Sequence, residues 1–128
     1  MTSPDIFAFL TGDSAVAALV ETRVYPGILS EQATRPALSY QVVSQVEDQT
    51  LLGPHSGLPQ MRIQVDCWAN SYEGVVALAL AVMERFDGYQ GDMGDSQVST
   101  TSRLNMIDIF EPSRRDYRRV LDFMVVFN

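Results

Sequence analysis

Residues 62–74 read RIQVDCWANSYEG, and the order of residue types in them sets the fold class. Ile63, Val65 and Cys67 alternate with Arg62, Gln64 and Asp66, the period-two pattern of a strand with one buried and one wet face. At Asn70 the period changes. Asn70 with Glu73 three residues later has the form of a capping box. Val75, Leu78, Ala79, Val82, Met83 and Phe86 then mark one face of a helix that Gly88 ends. The strand phase points Cys67, the single cysteine, inward, where it packs as a small apolar residue.

Upstream, Ser3, Pro4 and Asp5 combine a hydroxyl cap, a proline at the first helical position and an acid facing the positive helix end. Ile6, Phe7 and Leu10 share a face, Gly12 ends that turn, and Asp13 or Ser14 caps a second segment that carries the stripe to Val20. These two segments read as a broken helical hairpin or one kinked helix. Arg23 to Tyr25 is a short extended piece, and the polar run to Pro36 reads as an exposed loop. Ala37 to Val46 is a strand whose alternation slips at Val43, as at a bulge. The Gly- and Pro-rich residues 47–60 read as a long mobile connection.

Downstream, Gly88 to Ser96 is a turn-rich loop and Gln97 to Phe110, rich in β-branched residues, is extended. Glu111 to Tyr117 turns the chain into a last strand with Leu121, Phe123, Val125 and Phe127 on one face and Val120, Asp122, Met124 and Val126 on the other. Both faces are largely apolar, so this strand is expected to be central or covered by a partner. The order helix, helix, strand, strand, helix, strand, strand gives an α+β class: a mainly antiparallel sheet of about four strands with helices packed on one face.

All 128 residues fit one domain with a core of its own, and 46% hydrophobic with 20% charged residues is ordinary globular composition. Acids outnumber bases 16 to 9, every cation is arginine, and the net charge of −7 argues against gripping nucleic-acid backbones. Arginine without lysine suits forked contacts to carboxylates at interfaces, and codon bias in a GC-rich genome gives the same pattern. One cysteine excludes an internal disulfide, and one histidine, His55, excludes a multi-histidine metal site. No positive leader precedes the first apolar residues, and VVALALAVM falls far below the ~20 residues of a membrane span, so a soluble, non-exported chain is expected.

Nothing in this pattern supplies catalysis. Cys67 has no base in view, His55 stands in a Gly/Pro segment without an orienting acid, and GYQG and GDMG lack the strand, helix start and lysine of a phosphate-binding loop. No catalytic residue, cofactor or metal ligand is assigned. Arg114, Arg115, Arg118 and Arg119 form the basic cluster. It is either a solvated turn partly neutralised by Glu111, Asp116 and Asp122, or a set of forks for carboxylates on a neighbouring subunit. Leu51, Leu52 and Leu58 are either a small cluster under a loop or a docking arm that orders against a partner.

RIQVDCWANSYEGVVALALAVMERF resembles the Arg-x-x-Val-Asp-x-Trp-Ala-x-Ser-Tyr-x-x-Ala pattern of the tail completion, or tail terminator, family of long-tailed bacteriophages. RVYP at Arg23 to Pro26, the PALSYQVVS strand and the closing YRRVLDFMVVF strand are similar to that family in order and spacing, over nearly the whole chain. Gly74 and Val75 depart from its usual alanine continuation. The resemblance implies a structural virion protein and no enzyme. It implies a ring of copies of itself, a hexamer, in the neck region of the virion tail, assembled in the host cytoplasm. That ring caps the head-proximal end of the tail tube, stops its polymerisation and offers a joining surface to the head connector or stopper. DNA passes through its lumen without specific binding, and no membrane is involved. Interface candidates are Leu51, Leu52, Leu58, Arg114, Arg115, Arg118 and Arg119, with the loop acids Asp92 and Asp95 as their possible partners. Another neck, head-closure or tail adaptor component would share the lack of chemistry, whereas a small enzyme or ligand-binding domain requires a cleft around Cys67 or His55.

Overall fold

Asp5 opens the first helix, α1 (Ile6–Thr11), by accepting a hydrogen bond from the Ala8 amide at 3.0 Å. The computed structural model describes residues 5–46, 59–113 and 115–127, so Ser3 and Pro4 lie outside the described residues and the cap expected of Ser3 falls to Asp5. Gly12 closes α1, and Asp13 caps α2 (Ser14–Val20) by accepting from the Val16 amide at 3.1 Å. Two separate helices result, each with its own carboxylate at the positive end.

Six strands follow in one sheet. They are β1 (Val24–Pro26), β2 (Ala37–Val46), β3 (Gln60–Ala69), β4 (Gly91–Met93), β5 (Ser96–Glu111) and β6 (Asp116–Phe127), with α3 (Tyr72–Phe86) between β3 and β4. Their spatial order is β1-β2-β3-β6-β5-β4, antiparallel except for the β1–β2 pair. The α+β class with helices over one face holds, but the sheet has six strands where the sequence pattern indicates about four. The added pair are three-residue strands, too short to show a period. β1 lies in the extended piece at Arg23 to Tyr25, and β4 lies inside the stretch read as a turn-rich loop. There Met93 is buried and Gly94, at φ +65°, makes the tight turn into β5. The slip at Val43 is a bulge: the β2–β3 register shifts between Val42 and Ser44.

Ser71, not Asn70, caps α3, its hydroxyl accepting from the Gly74 amide at 3.1 Å. Two adjacent polar residues can each serve, and the backbone places Ser71 in the extended cap conformation. From this start Val75, Leu78, Ala79, Val82 and Phe86 face the sheet and meet Ile63, Val65, Cys67, Leu121, Phe123 and Val125 in one core. Phe86 stacks on Phe123 at 4.3 Å between centroids, and Phe9 stands edge-on to Phe86 at 4.9 Å. Arg85 ties α1 to α3: its Nε donates to the Phe9 carbonyl at 2.9 Å while its guanidinium lies 3.9 Å over the Phe9 ring.

Among the described residues the opposite face of the sheet carries no helix. Part of it is covered by the segment 27–36, of which the polar run from Ser30 to Pro36 reads from sequence as an exposed loop. Leu29 from that segment is buried against Ala37 and Trp68, although Ile28 beside it is 91% exposed. Arg35 pins the segment down through a bidentate pair with Asp116 at 2.7 and 3.1 Å, both side chains nearly free of solvent. Truncation of Phe123 to alanine removes a fully buried ring at the centre of the core. It is expected to lower unfolding free energy by about 3–5 kcal/mol in equilibrium urea denaturation.

Candidate subunit interface

β6 is paired on both sides, with β3 from Gln60↔Val126 to Ala69↔Tyr117 and with β5 along its whole length. This is the central position that its two apolar faces require. β5 is different. Its outer side is covered by β4 only at Ser96–Val98, and Ser102 to Phe110 are all exposed. Leu104, Met106, Ile107, Ile109 and Phe110 present apolar side chains along this stretch, Phe110 being 50% exposed. Alternation across the pleat puts Met106 and Phe110 on the helix-bearing side and Ile107 and Ile109 on the helix-free side, so the apolar surface wraps around the edge. The sequence reading missed this strand as an edge. The run LNMIDIF gives no edge signal, since the whole chain lacks lysine and the run has no proline to mark an edge.

Of the four clustered arginines, two are held within the chain. Arg118 places Nη2 and Nε at 2.7 and 3.0 Å from one oxygen of Asp66, reaches Glu111 at 3.3 Å, and lies 5.0 Å over the Trp68 ring. Arg119 forks onto Asp108, lies 5.9 Å over the Tyr72 ring, and donates from Nη2 to the Tyr72 hydroxyl at 3.4 Å. The fork holds the Asp108 carboxyl below its ordinary range, and the same hydrogen bonds raise the Arg119 guanidinium. Arg115 sits exposed in the β5–β6 turn at φ +54° and forms no side-chain ion pair among the described residues. Arg114, Leu51, Leu52, Leu58 and His55 lie outside the described residues.

Asp92 and Asp95 are exposed in and beside the β4–β5 turn. That turn and the β5–β6 turn bound opposite ends of a 16-residue strand, a span on the order of 50 Å at the ordinary strand rise. These acids and Arg115 therefore do not come together inside one chain and can meet only between chains.

On the helix-free face a hollow of about 310 Å³ is lined by Ile28, Leu29, Tyr40, Asp66, Trp68 and Arg118, among others. Its charged groups are already paired with one another, its lining includes neither cysteine nor histidine among the described residues, and its Ser39 hydroxyl accepts from Trp68 Nε1 at 3.0 Å. A second ion pair, Arg62 with Asp122 at 3.2 Å, lies on the same face. Cys67 points away from this hollow into the core. Burial pushes its thiol far up, Asp66 adds to that effect, and Arg119 offsets only part of it.

The sequence profile of the family described as tail completion protein gp17 matches residues 4–128. No protein of curated function matches the chain in sequence. Among solved structures, a chain of the virion of a native gene transfer agent particle superimposes with a TM-score of 0.68 at 16% identity, covering 94% of this chain and 90% of that one. The likeness is one of fold.

With its thiol buried and protonated, Cys67 is expected to resist a disulfide reagent at pH 8 on the native protein and to react within seconds after unfolding in guanidinium. Fast native labelling, followed by absorbance of the released thiolate, would contradict the core placement.

Proposed function

The chain belongs to the tail completion protein gp17 family, structural proteins of phage tails, and on that premise we propose that it is the tail terminator. In this reading copies of the chain close into a ring, a hexamer, on the head-proximal end of the tail tube. The ring stops tube polymerisation and presents a joining surface to the head connector or stopper. The observation that supports a ring best is the open, apolar outer stretch of β5 from Ser102 to Phe110, because a monomer left with such an edge invites strand pairing.

A head-to-tail ring uses two different patches per copy, and the count at closure follows from the angle between them. Of the described arginines in the basic cluster, Arg115 is the one we assign to a carboxylate on an adjoining subunit. Arg118 and Arg119 act first within the fold, steadying β6 against β3 and β5. Asp92 and Asp95, at the far end of β5, are the acids we assign to that contact. The net charge of −7 suits a collar through which DNA must slide without adhering.

Native mass measurement at micromolar concentration, followed by imaging of the oligomer, is expected to give a ring with a central opening. A chain that stays monomeric alone and is a single copy in the particle would overturn the ring. Arg115→Glu is expected to weaken the ring by at least tenfold in midpoint concentration while leaving the thermal midpoint of the monomer unchanged. The same change at Arg118 would set a carboxylate beside Asp66 and confound the fold with the interface.

A further inference from the structure

The sheet has two steps. At one margin β1 covers only Leu38–Tyr40 of β2, so β2 from Gln41 onward has no strand on its outer side among the described residues, and Gln41 to Gln45 are exposed. At the other margin β4 covers only Ser96–Val98 of β5, leaving Ser102 to Phe110 open. Tracing the registers across the sheet places Val24 on the row of Leu38, Cys67, Arg119 and Asp108. The projecting strand β1 thus lies level with the recessed part of β5, whereas β4 lies past the row of Val46, the last described residue of β2.

We infer that these two margins mate between neighbouring copies, so that the β5 edge of one copy pairs antiparallel with the β1–β2 edge of the next and the sheet continues across the joint. This rests on the ring reading above and specifies its contact. Strand polarity permits it: β3 runs opposite to β2, β6 opposite to β3 and β5 opposite to β6. β5 and β2 therefore run in opposite directions, and copies in the same sense meet as an antiparallel pair. Side chains match as well, because Tyr25, Val42 and Val43 on one margin and Leu104, Met106 and Ile107 on the other are large apolar groups exposed by a third or more.

Charge selects the same surfaces. Identical copies of net charge −7 repel one another wherever acids are apposed. Residues 41–45 carry no charge, and the open part of β5 carries Arg103 and Asp108, which are engaged with Asp87 and Arg119. The two margins can approach without an unpaired charge being buried.

Two variants test this. The first, Tyr25→Lys with Val43→Lys, spoils the β1–β2 margin and keeps the β5 margin; the second, Met106→Lys with Ile107→Lys, does the reverse. All four positions are solvent-exposed, and circular dichroism with thermal melting verifies that each variant is folded. Each alone is expected to be monomeric by native mass, and a 1:1 mixture is expected to form a complex of two chains that cannot grow, through the one intact pair of margins. An oligomer persisting in either single variant, or a mixture that stays monomeric while the unmodified chain forms rings, overturns the mating of these edges and leaves the ring itself standing. If the unmodified chain forms no ring either alone or in the particle, the ring reading fails and this contact with it. Should a variant melt early, disulfide cross-linking of Tyr25→Cys on one copy to Ile107→Cys on another, positions that the registers place on one row, reads the same proximity in an otherwise intact chain. Cross-linking no faster than between two copies of Tyr25→Cys would equally overturn it.

Discussion

The pairing of β3 with β6 is the constraint on which everything else rests. Its register is set twice, once on each face. On the helix side Ile63, Val65 and Cys67 stand beside Phe123, Leu121 and Arg119, and α3 presses Phe86 onto Phe123. On the other side Arg118 reaches diagonally to Asp66 and Arg62 to Asp122. A slip of one residue would send Leu121, Phe123 and Val125 to the wet face and strand both ion pairs at once. Apolar burial supplies the driving force and the forked arginines supply discrimination against neighbouring registers. That division of labour explains why bases sit on a face that faces away from the core yet remain half-buried.

Much of this frame was legible in the sequence because it is periodic. The alternation in residues 62–67, the helical stripe from Val75 to Phe86 and the two apolar faces of the last strand each state a burial pattern directly, and all three elements fall where those patterns place them. What was not legible is either short or distant. β1 and β4 have three residues each, and no period can be read from three. Leu29 and Ile28 are adjacent apolar residues before a polar run, and only the tertiary position of Trp68 makes Leu29 core. The partners of Arg118 and Arg35 lie 52 and 81 residues away along the chain, so whether the basic cluster was a solvated turn or a set of forks depended on contacts that spacing does not encode. Likewise, nothing in the composition of Gln97 to Phe110 says that its outer neighbour ends after Val98.

The arginines illustrate how a chain without lysine divides its cations between folding and contact. Arg35 ties a loop to the start of β6, Arg85 joins two helices, and Arg62, Arg118 and Arg119 brace the sheet. Arg35, Arg85, Arg118 and Arg119 use the planar fork or the stacking face of guanidinium, which an ammonium group does not offer, whereas Arg62 makes a single contact at 3.2 Å. Such pairs sit partly out of water, where a lone charge would be costly, so substituting any one of them disturbs the monomer before it disturbs an assembly. Among the described residues Arg115 forms no side-chain ion pair, and it is the arginine proposed above for the contact between copies.

Curvature then follows from where the bulges fall. β2 has its bulge between Val42 and Ser44, and β5 has irregularities between Val98 and Thr100 and between Arg103 and Asn105. Those in β2 and in the middle of β5 occur within the two open margins, not in the paired centre. A bulge bends its strand and sharpens the local twist, so each open margin is turned away from the plane of β3 and β6. For a head-to-tail assembly the angle between the two margins decides whether copies close into a ring or run on as a filament. A flat sheet with the same edges would stack without end. In a ring built through these margins, the proposal made above, the bulges bear on the angle that decides closure.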